Sequence, residues 1–370
     1  MRRRFTVLVV DDSALVRRVV QKSLAEYDDI EVVGAAADPY EARDLMLKLK
    51  PDVLTLDIEM PRMDGLTFLK LIMKHRPQPV VIMSSLTQEG SEIALECLQE
   101  GAIDVIGKPS GSNSAYEEGS LLAHKIRSAA TVDMKRFLAR FRSSKEDDAP
   151  QPVQKQRSAN TGAFKNAEEK LIVIGSSTGG TEALRKLFAE LPKGLPPILV
   201  VQHIPAHFSE AFSRRLNQVS QVSQVSVRQA QGGDVIKAGE ALIAPGDFHM
   251  VLRKKGQSLV TELNQGPSFH YQRPAVDVLF DSVVRAKLST KTMAIILTGM
   301  GSDGAEGMLA LRLAGAQTLA QDRHTCVVYG MPREAVLRGG AMKEASLNDV
   351  SNEMVKFAQV PVKKRDMAVA

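Results

Sequence analysis

Cysteine is nearly absent: Cys97 and Cys326 are the only two in 370 residues, far apart, and they make no metal-ligand spacing. Each therefore reads as a buried or inert thiol. No apolar run approaches the roughly 18 residues of a membrane span. Arg2-Arg3-Arg4 is not followed by a secretory-type apolar core. The chain accordingly reads as cytoplasmic, with no membrane insertion. Helix-turn-helix, zinc spacing and basic–aromatic interleaving are also missing, which argues against a nucleic-acid partner. The net charge of +5 is modest. The densest basic run, Lys135-Arg-Phe-Leu-Ala-Arg-Phe-Arg142, reads as the solvated face of a helix or linker. What remains, 44% hydrophobic and 25% charged residues, is ordinary globular composition, with length for two or three domains.

Through residue 128 the apolar pattern alternates between strands and helices. Strands are expected at 5–10, 30–34, 53–56, 80–83 and 103–106. Helices are expected at about 14–26, 39–50, 63–75, 89–100 and 116–127. Five βα units with short connections make a parallel sheet covered on both faces. Active groups in such a sheet gather at the carboxyl ends of its strands. Asp11 and Asp12 end the first strand, Asp57 the third and Ser84 the fourth, and Lys108 follows the fifth. Three carboxylates on one edge repel unless a hard cation sits among them, and Mg²⁺ suits a few carboxylates plus water and phosphate oxygens. A lysine and a hydroxyl on the same rim can hold a phosphoryl group.

These residues resemble a response-regulator receiver domain. The matching runs are Val9-Val-Asp-Asp-Ser13, Asp52 to Gly65 around Asp57, Ser84, and Lys108-Pro109. The resemblance implies a flavodoxin-like (βα)5 fold with Asp57 as phospho-acceptor. It implies Mg²⁺ held by Asp12, by Asp11 through water, by Asp57 and by the Glu59 carbonyl. Ser84 is then the switch hydroxyl, Lys108 the phosphate partner, and a chemotaxis histidine kinase the phosphoryl donor. Many receivers carry an aromatic switch residue three positions before the lysine. Val105 stands there.

Between residues 129 and 169 the pattern breaks down. Ser143 to Gly162 is polar, proline-bearing and poor in aromatics, and reads as a flexible linker. Residues 131–141 before it read as an extension of the last helix.

Strands and helices resume at residue 170 and continue to about 359, before a basic tail at 360–370. Strands are expected at 171–174, 198–201, 241–244 and 293–297, with a hairpin of 250–252 and 258–262. Helices are expected at 208–216, 276–286 and 305–314. This is a doubly wound, mostly parallel sheet with one antiparallel hairpin. The turn Gly175-Ser-Ser177-Thr-Gly179-Gly180 follows the first strand and precedes a helix with apolar Ala183, Leu184, Leu187 and Phe188. Gly175-x-Ser177-x-Gly179 has the spacing of a nucleophile elbow. A phosphate cradle, or a glycine-rich turn with a serine cap, fits the same residues.

Ser177, His203 and Asp303 each lie just beyond a strand end, so parallel topology can bring them together. A hydroxyl nucleophile, an imidazole base and an orienting carboxylate are what acyl transfer requires. The order Ser, His, Asp differs from that of α/β-hydrolases. His207, His249, His270 and His324 rival His203, Asp247 and Asp277 rival Asp303, and Asp303 could instead cap the helix at Ala305.

Residues 170–345 resemble the catalytic domain of the chemotaxis protein-glutamate methylesterases. The matching runs are Ile174 to Glu182, Gln202-His-Ile-Pro205, Ala244 to Met250, Arg273 to Phe280, Ile296 to Gly304, and Cys326 to Pro332. The resemblance implies Ser177 as nucleophile, His203 as base and Asp303 as acid, acting on glutamate γ-methyl esters of chemoreceptors. Glutamine deamidation is implied as a second activity. Backbone N–H groups near Thr178 and Met300 are candidates for the oxyanion, and no metal is needed for the ester chemistry. A phosphorylated binding module and a DNA-binding response regulator are the competing classes; the first predicts no Ser177-dependent hydrolysis, the second salt-dependent DNA affinity.

The attached receiver is expected to cover the Ser177 edge until Asp57 is phosphorylated. Deleting residues 1–150 should then raise basal methanol release from methylated receptor. Unchanged activity contradicts the expectation.

Overall fold

The computed structural model describes residues 4–85, 87–108, 115–147, 164, 166–221 and 224–361. Pro109, the linker residues 148–163 and the tail beyond 361 lie outside them. The chain sorts into two compact units, residues 1–154 with 204–212, and residues 155–203 with 213–370.

In the first unit, β1 (Phe5–Val10), α1 (Ala14–Leu24), β2 (Ile30–Ala36), α2 (Pro39–Leu49) and β3 (Val53–Asp57) follow one another. Next come α3 (Gly65–His75), β4 (Val80–Ser84), α4 (Gln88–Gln99), β5 (Asp104–Gly107), α5 (Ala115–Ala130) and α6 (Met134–Asp147). The sheet order is β2-β1-β3-β4-β5, parallel throughout. Val7 to Val10, Leu54, Leu56 and Val80 to Ile82 are fully buried, as strands covered on both faces require. Short polar side chains start the helices. Ser13 accepts from Val16 N–H, Asp38 from Tyr40 and Glu41 N–H, and Asp64 from Thr67 N–H.

Residues 134–147 differ from expectation. They form a separate helix after a break at 131–133 and do not prolong α5. Phe137 and Phe141, one turn apart, stack at 5.7 Å, and a Cβ on Gly101 would lie 3.5 Å from the Phe141 ring. An apolar stripe in a basic run is enough to fix a helix whose other face is solvated.

The second unit begins with β6 (Leu171–Ser176), α7 (Gly180–Glu190) and β7 (Ile198–Gln202); α8 (Ala206–Val219) follows, its residues from 213 on in this unit, and then β8 (Ser226–Gln229) and β9 (Glu240–Ile243). The hairpin β10 (His249–Lys255) and β11 (Ser258–Asn264) follows, then α9 (Val276–Arg285), β12 (Thr292–Ile296) and α10 (Ala305–Leu313). The remaining elements are β13 (Gln317–Gln321), α11 (Met331–Leu337), β14 (Lys343–Ala345) and α12 (Leu347–Gln359). The seven-stranded sheet runs β14-β13-β12-β6-β7-β9-β8. All of its pairings are parallel, and the antiparallel hairpin stands as a sheet of its own. The sequence reading had no β8, β13, β14, α11 or α12. Val173, Leu199, Leu242, Ala294 and Ile296 of the sheet bury against Val276, Leu279, Phe280 and Val283 of α9 and Met308 and Leu311 of α10.

In both sheets the winding direction reverses beside a central strand. The crevice there opens at the strands' carboxyl ends, where α/β proteins bind ligands. In the first unit the reversal lies between β1 and β3, which end at Asp11 and Asp57. In the second it lies between β6 and β12, which lead into Ser177 and Asp303.

Gly65 packs against the backbone at the end of β3. A Cβ there would sit 2.0 Å from the Asp57 carbonyl oxygen and 2.8 Å from Ile58 Cα, both backbone atoms. Gly65→Ala should therefore destabilise the first unit by about 1–3 kcal/mol, seen as a lower urea midpoint. An unchanged midpoint would refute the close approach.

Candidate active site

Ser177 follows β6 on a turn that only glycine can complete. Gly179 has φ +78°, and a Cβ on it would meet Val327 at 2.6 Å. The turn is tied down from both sides. Ser177 N–H donates to the Thr298 carbonyl at 3.0 Å, and Gly180 N–H donates to the Ser177 carbonyl at 2.7 Å. Thr298 Oγ1 donates to the Thr178 carbonyl at 3.0 Å. Gln202, at the end of β7, holds the next strand end in register. Its Oε1 accepts from Ser176 Oγ at 2.6 Å, and its Nε2 donates to the carbonyls of Ser177 and His203 at 3.0 and 3.2 Å.

His203 Nε2 lies 2.7 Å from Asp303 Oδ2, and the two residues are only 6% and 2% exposed. The other ring nitrogen, Nδ1, is buried and has no hydrogen-bond partner among the described residues. No hydrogen bond joins Ser177 Oγ to His203. Such catalytic contacts often shorten only when substrate is bound. Asp303 also accepts from Val276 N–H at 2.7 Å and Asp277 N–H at 2.9 Å. It thus sits at the start of α9 and not on its own helix, α10, as a simple cap would. Burial alone would raise the Asp303 carboxyl. The His203 hydrogen bond and charge, with the two backbone N–H groups, outweigh that and hold it below the ordinary carboxylate value.

The rivals His249, Asp247 and Asp277 make other contacts. His249 accepts from Ala275 N–H and bonds the Pro267 carbonyl, bracing the loop before α9. Asp247 pairs with Arg273. Asp277 stands next to Asp303 with its side chain on Gly307 N–H at 2.6 Å. Burial and then the Asp303 charge push its carboxyl up to about 7. Gly299 packs directly on Ser177, since a Cβ on it would lie 2.7 Å from Ser177 Cβ. The next residue, Met300, is half-buried, and its N–H has no partner among the described residues. Gln202 and Thr298 are neighbours of the Ser177 turn to which the sequence assigns no role, and Asp277 enters there only as a rival acid. Their only signal is that each is a polar residue inside or just beyond an apolar element.

The first unit holds a second cluster. Ligand atoms of Asp11, Asp12 and Asp57 all lie within 4.8 Å of one another. Lys108 Nζ is 2.7 Å from Asp57 Oδ2 and 3.3 Å from Asp11 Oδ2. Burial pushes Asp57 up to about 6 against the Lys108 hydrogen bond, and it also raises Asp11. Asp11 Oδ2 and Asp57 Oδ2 are buried without a well-formed hydrogen bond. Hard oxygen donors in need of positive charge fit Mg²⁺. Glu59 N–H donates to Asp57 Oδ1 at 3.2 Å, which brings the Glu59 backbone to the cluster. Ser84 ends β4 fully buried, its hydroxyl donating to the Gly90 carbonyl at 3.0 Å. Val105 is buried within β5.

Residues 172–354 match the family model described as CheB methylesterase, and residues 7–117 the response regulator receiver domain. A protein-glutamate methylesterase/protein-glutamine glutaminase of Syntrophus aciditrophicus is 46% identical over 351 residues, covering 95% of this chain and 98% of its own. One of Anaeromyxobacter dehalogenans is 45% identical over 357 residues, covering 96% of each chain. The crystal structure of the Thermotoga maritima CheB methylesterase catalytic domain is 37% identical. It covers 50% of this chain and 97% of its own, with a TM-score of 0.49.

Folded Asp57 keeps its proton to about pH 6, whereas the unfolded chain releases it near 3.9. Its burial as an anion therefore destabilises the fold fully above pH 6 and ceases to do so below about 3.9. Asp57→Asn should raise the calorimetric midpoint at pH 7.5 without metal, with the gain shrinking as pH falls toward 4. Mg²⁺ should raise the midpoint of the parent more than that of the variant.

Proposed function

The chain belongs to the protein-glutamate methylesterase/protein-glutamine glutaminase family, and we propose that Ser177, His203 and Asp303 carry out the family's ester hydrolysis in it. The observation that carries this reading is the buried His203–Asp303 pair at 2.7 Å, with Nδ1 left unpartnered beside the Ser177 turn. An imidazole whose Nε2 proton is held by a carboxylate has only Nδ1 with which to accept a proton. Ser177 Oγ attacks the γ-carbonyl of a methylated glutamate, and its proton passes to His203 Nδ1. Asp303 stabilises the imidazolium that forms.

Charge then develops on the former carbonyl oxygen. Backbone N–H groups at Met300 and near Thr178 are the proposed donors to it, a contribution of about 3–4 kcal/mol when one such donor is removed elsewhere. The C–O bond to the methoxy group breaks, and methanol leaves with the proton from His203. Water, deprotonated by the same nitrogen, opens the acyl-enzyme to give glutamate. With glutamine as substrate the leaving group is ammonia. The substrate is proposed to be a cytoplasmic segment of a methyl-accepting chemoreceptor, and the reaction a step in chemotactic adaptation.

The receiver domain makes the activity responsive to phosphorylation. Asp57 is the proposed acceptor, with Lys108 and Ser84 holding the phosphoryl group and a chemotaxis histidine kinase as donor. Mg²⁺ held by Asp11, Asp12, Asp57 and the Glu59 carbonyl would offset charge during that transfer. Consistent with a cytoplasmic enzyme, no helix among the described residues is long and apolar enough to cross a membrane.

Ser177→Ala should lower methanol release from methylated receptor by at least about 10³-fold. Ser176→Ala loses only the bond to Gln202 and should keep most of the activity. If Ser176→Ala were the inactive variant, the nucleophile would be misassigned.

A further inference from the structure

Two helix starts cross beside the triad, and each is capped by the other's aspartate. Asp303 lies two residues before α10, yet its carboxylate accepts from Val276 and Asp277 N–H at the start of α9. Asp277 lies in the first turn of α9, yet its Oδ1 accepts from Gly307 N–H of α10 at 2.6 Å. Neither helix has a side-chain cap of its own: Ala275 and Gly304 stand at the cap positions. The crossing leaves no slack. Gly304 has φ +89°, and a Cβ on it would sit 2.7 Å from Val276 Cγ1. A Cβ on Gly307 would sit 2.7 Å from Phe280 Cβ and 3.0 Å from Asp277 Oδ1.

We propose that Asp277 is the positioning residue of the catalytic carboxylate: by capping α10 it fixes the segment that carries Asp303, and so the Asp303–His203 contact. This rests on the reading of Ser177, His203 and Asp303 as the catalytic set. The second carboxyl also has a state that suits the role. It is 6% exposed, lies against Asp303, and is pushed up to about 7 by burial and that neighbour. Protonated, it leaves one negative charge in the pair, on the oxygen facing the imidazole. The titratable groups around the pair are His203, from the end of β7, and His270, whose Nε2 is 3.7 Å from Asp277 Oδ2. Asp281 and Glu306, on the same two helices, are paired outward with Arg285 and Arg338.

The requirement is an acceptor at Oδ1 and not a charge, and this separates the role from a general structural one. The test uses the full-length chain, methylated receptor and methanol release across pH. Asp277→Ala should lower kcat at least tenfold with KM nearly unchanged. It should also move the acidic limb of kcat/KM to lower pH, because a loosened Asp303 favours the imidazolium less. Loss of folded protein would lower the amplitude without moving that limb. Asp277→Asn keeps the acceptor and the shape, and should hold kcat within about threefold of the parent. A parent-like Asp277→Ala, with an unmoved limb, overturns the proposal. So does an Asp277→Asn variant that folds and is tenfold slower, a result that decides the matter even if the alanine variant does not fold. Ser177→Ala run in parallel separates the two levels: if it stays active, the catalytic assignment has failed and not merely the role of Asp277.

Discussion

The structure of the second unit depends on one buried carboxylate with two obligations. Asp303 accepts two N–H groups at the start of α9 and the Nε2 proton of His203. An ionised carboxylate in a site this dry is costly unless every lone pair is answered. Here the helix start and the imidazole answer together, and the charge is held against the His203 ring. The backbone around it follows from that demand. Gly175 and Gly304 let Val276 approach to within van der Waals contact, which brings the α9 start over the ends of β6 and β12. Gln202 and Thr298 then tie the strand ends to one another.

The two crevices make opposite use of the same edge of a parallel sheet. Asp57 and Asp303 are both buried at strand ends beside a winding reversal. Asp57 faces another carboxylate and a single lysine, receives one backbone N–H, and is pushed up to about 6. Asp303 also lies against a carboxyl, that of Asp277, but faces an imidazole and two N–H groups, and is held low. The first arrangement leaves negative charge undersupplied with partners, which suits a cation and a phosphoryl group. The second answers the Asp303 charge in full and leaves the neighbouring Asp277 carboxyl to keep a proton.

Much of this was legible in the sequence because strand ends are local. Runs such as Val7 to Val10 and Ile172 to Ile174 announce buried strands, and the polar residue that follows each run is fixed by chain continuity. The expectations for Ser177, His203, Asp303 and Asp57 rest on that, and the methylesterase and receiver resemblances narrow the choice among rival histidines and aspartates. What escaped lacks such a signature. β13 begins and ends in glutamine, and β14 has three residues, so neither makes an apolar run. Helix α6 lay in a stretch whose charge hid a stripe of Met134, Phe137 and Phe141. The exchange of caps between Asp277 and Asp303 is a contact between residues far apart in the chain. Sequence reasoning could set Asp277 beside Asp303 only as a competitor, whereas the structure makes it a neighbour.

The most direct test of the account is the position of the proton on the His203 ring. With ¹⁵N-labelled histidine in the full-length protein, the ring nitrogens can be read at alkaline pH, where the imidazole is neutral. The account predicts the proton on Nε2, bonded to Asp303, with Nδ1 unprotonated and free to accept from Ser177. A proton on Nδ1 in the neutral ring would contradict it.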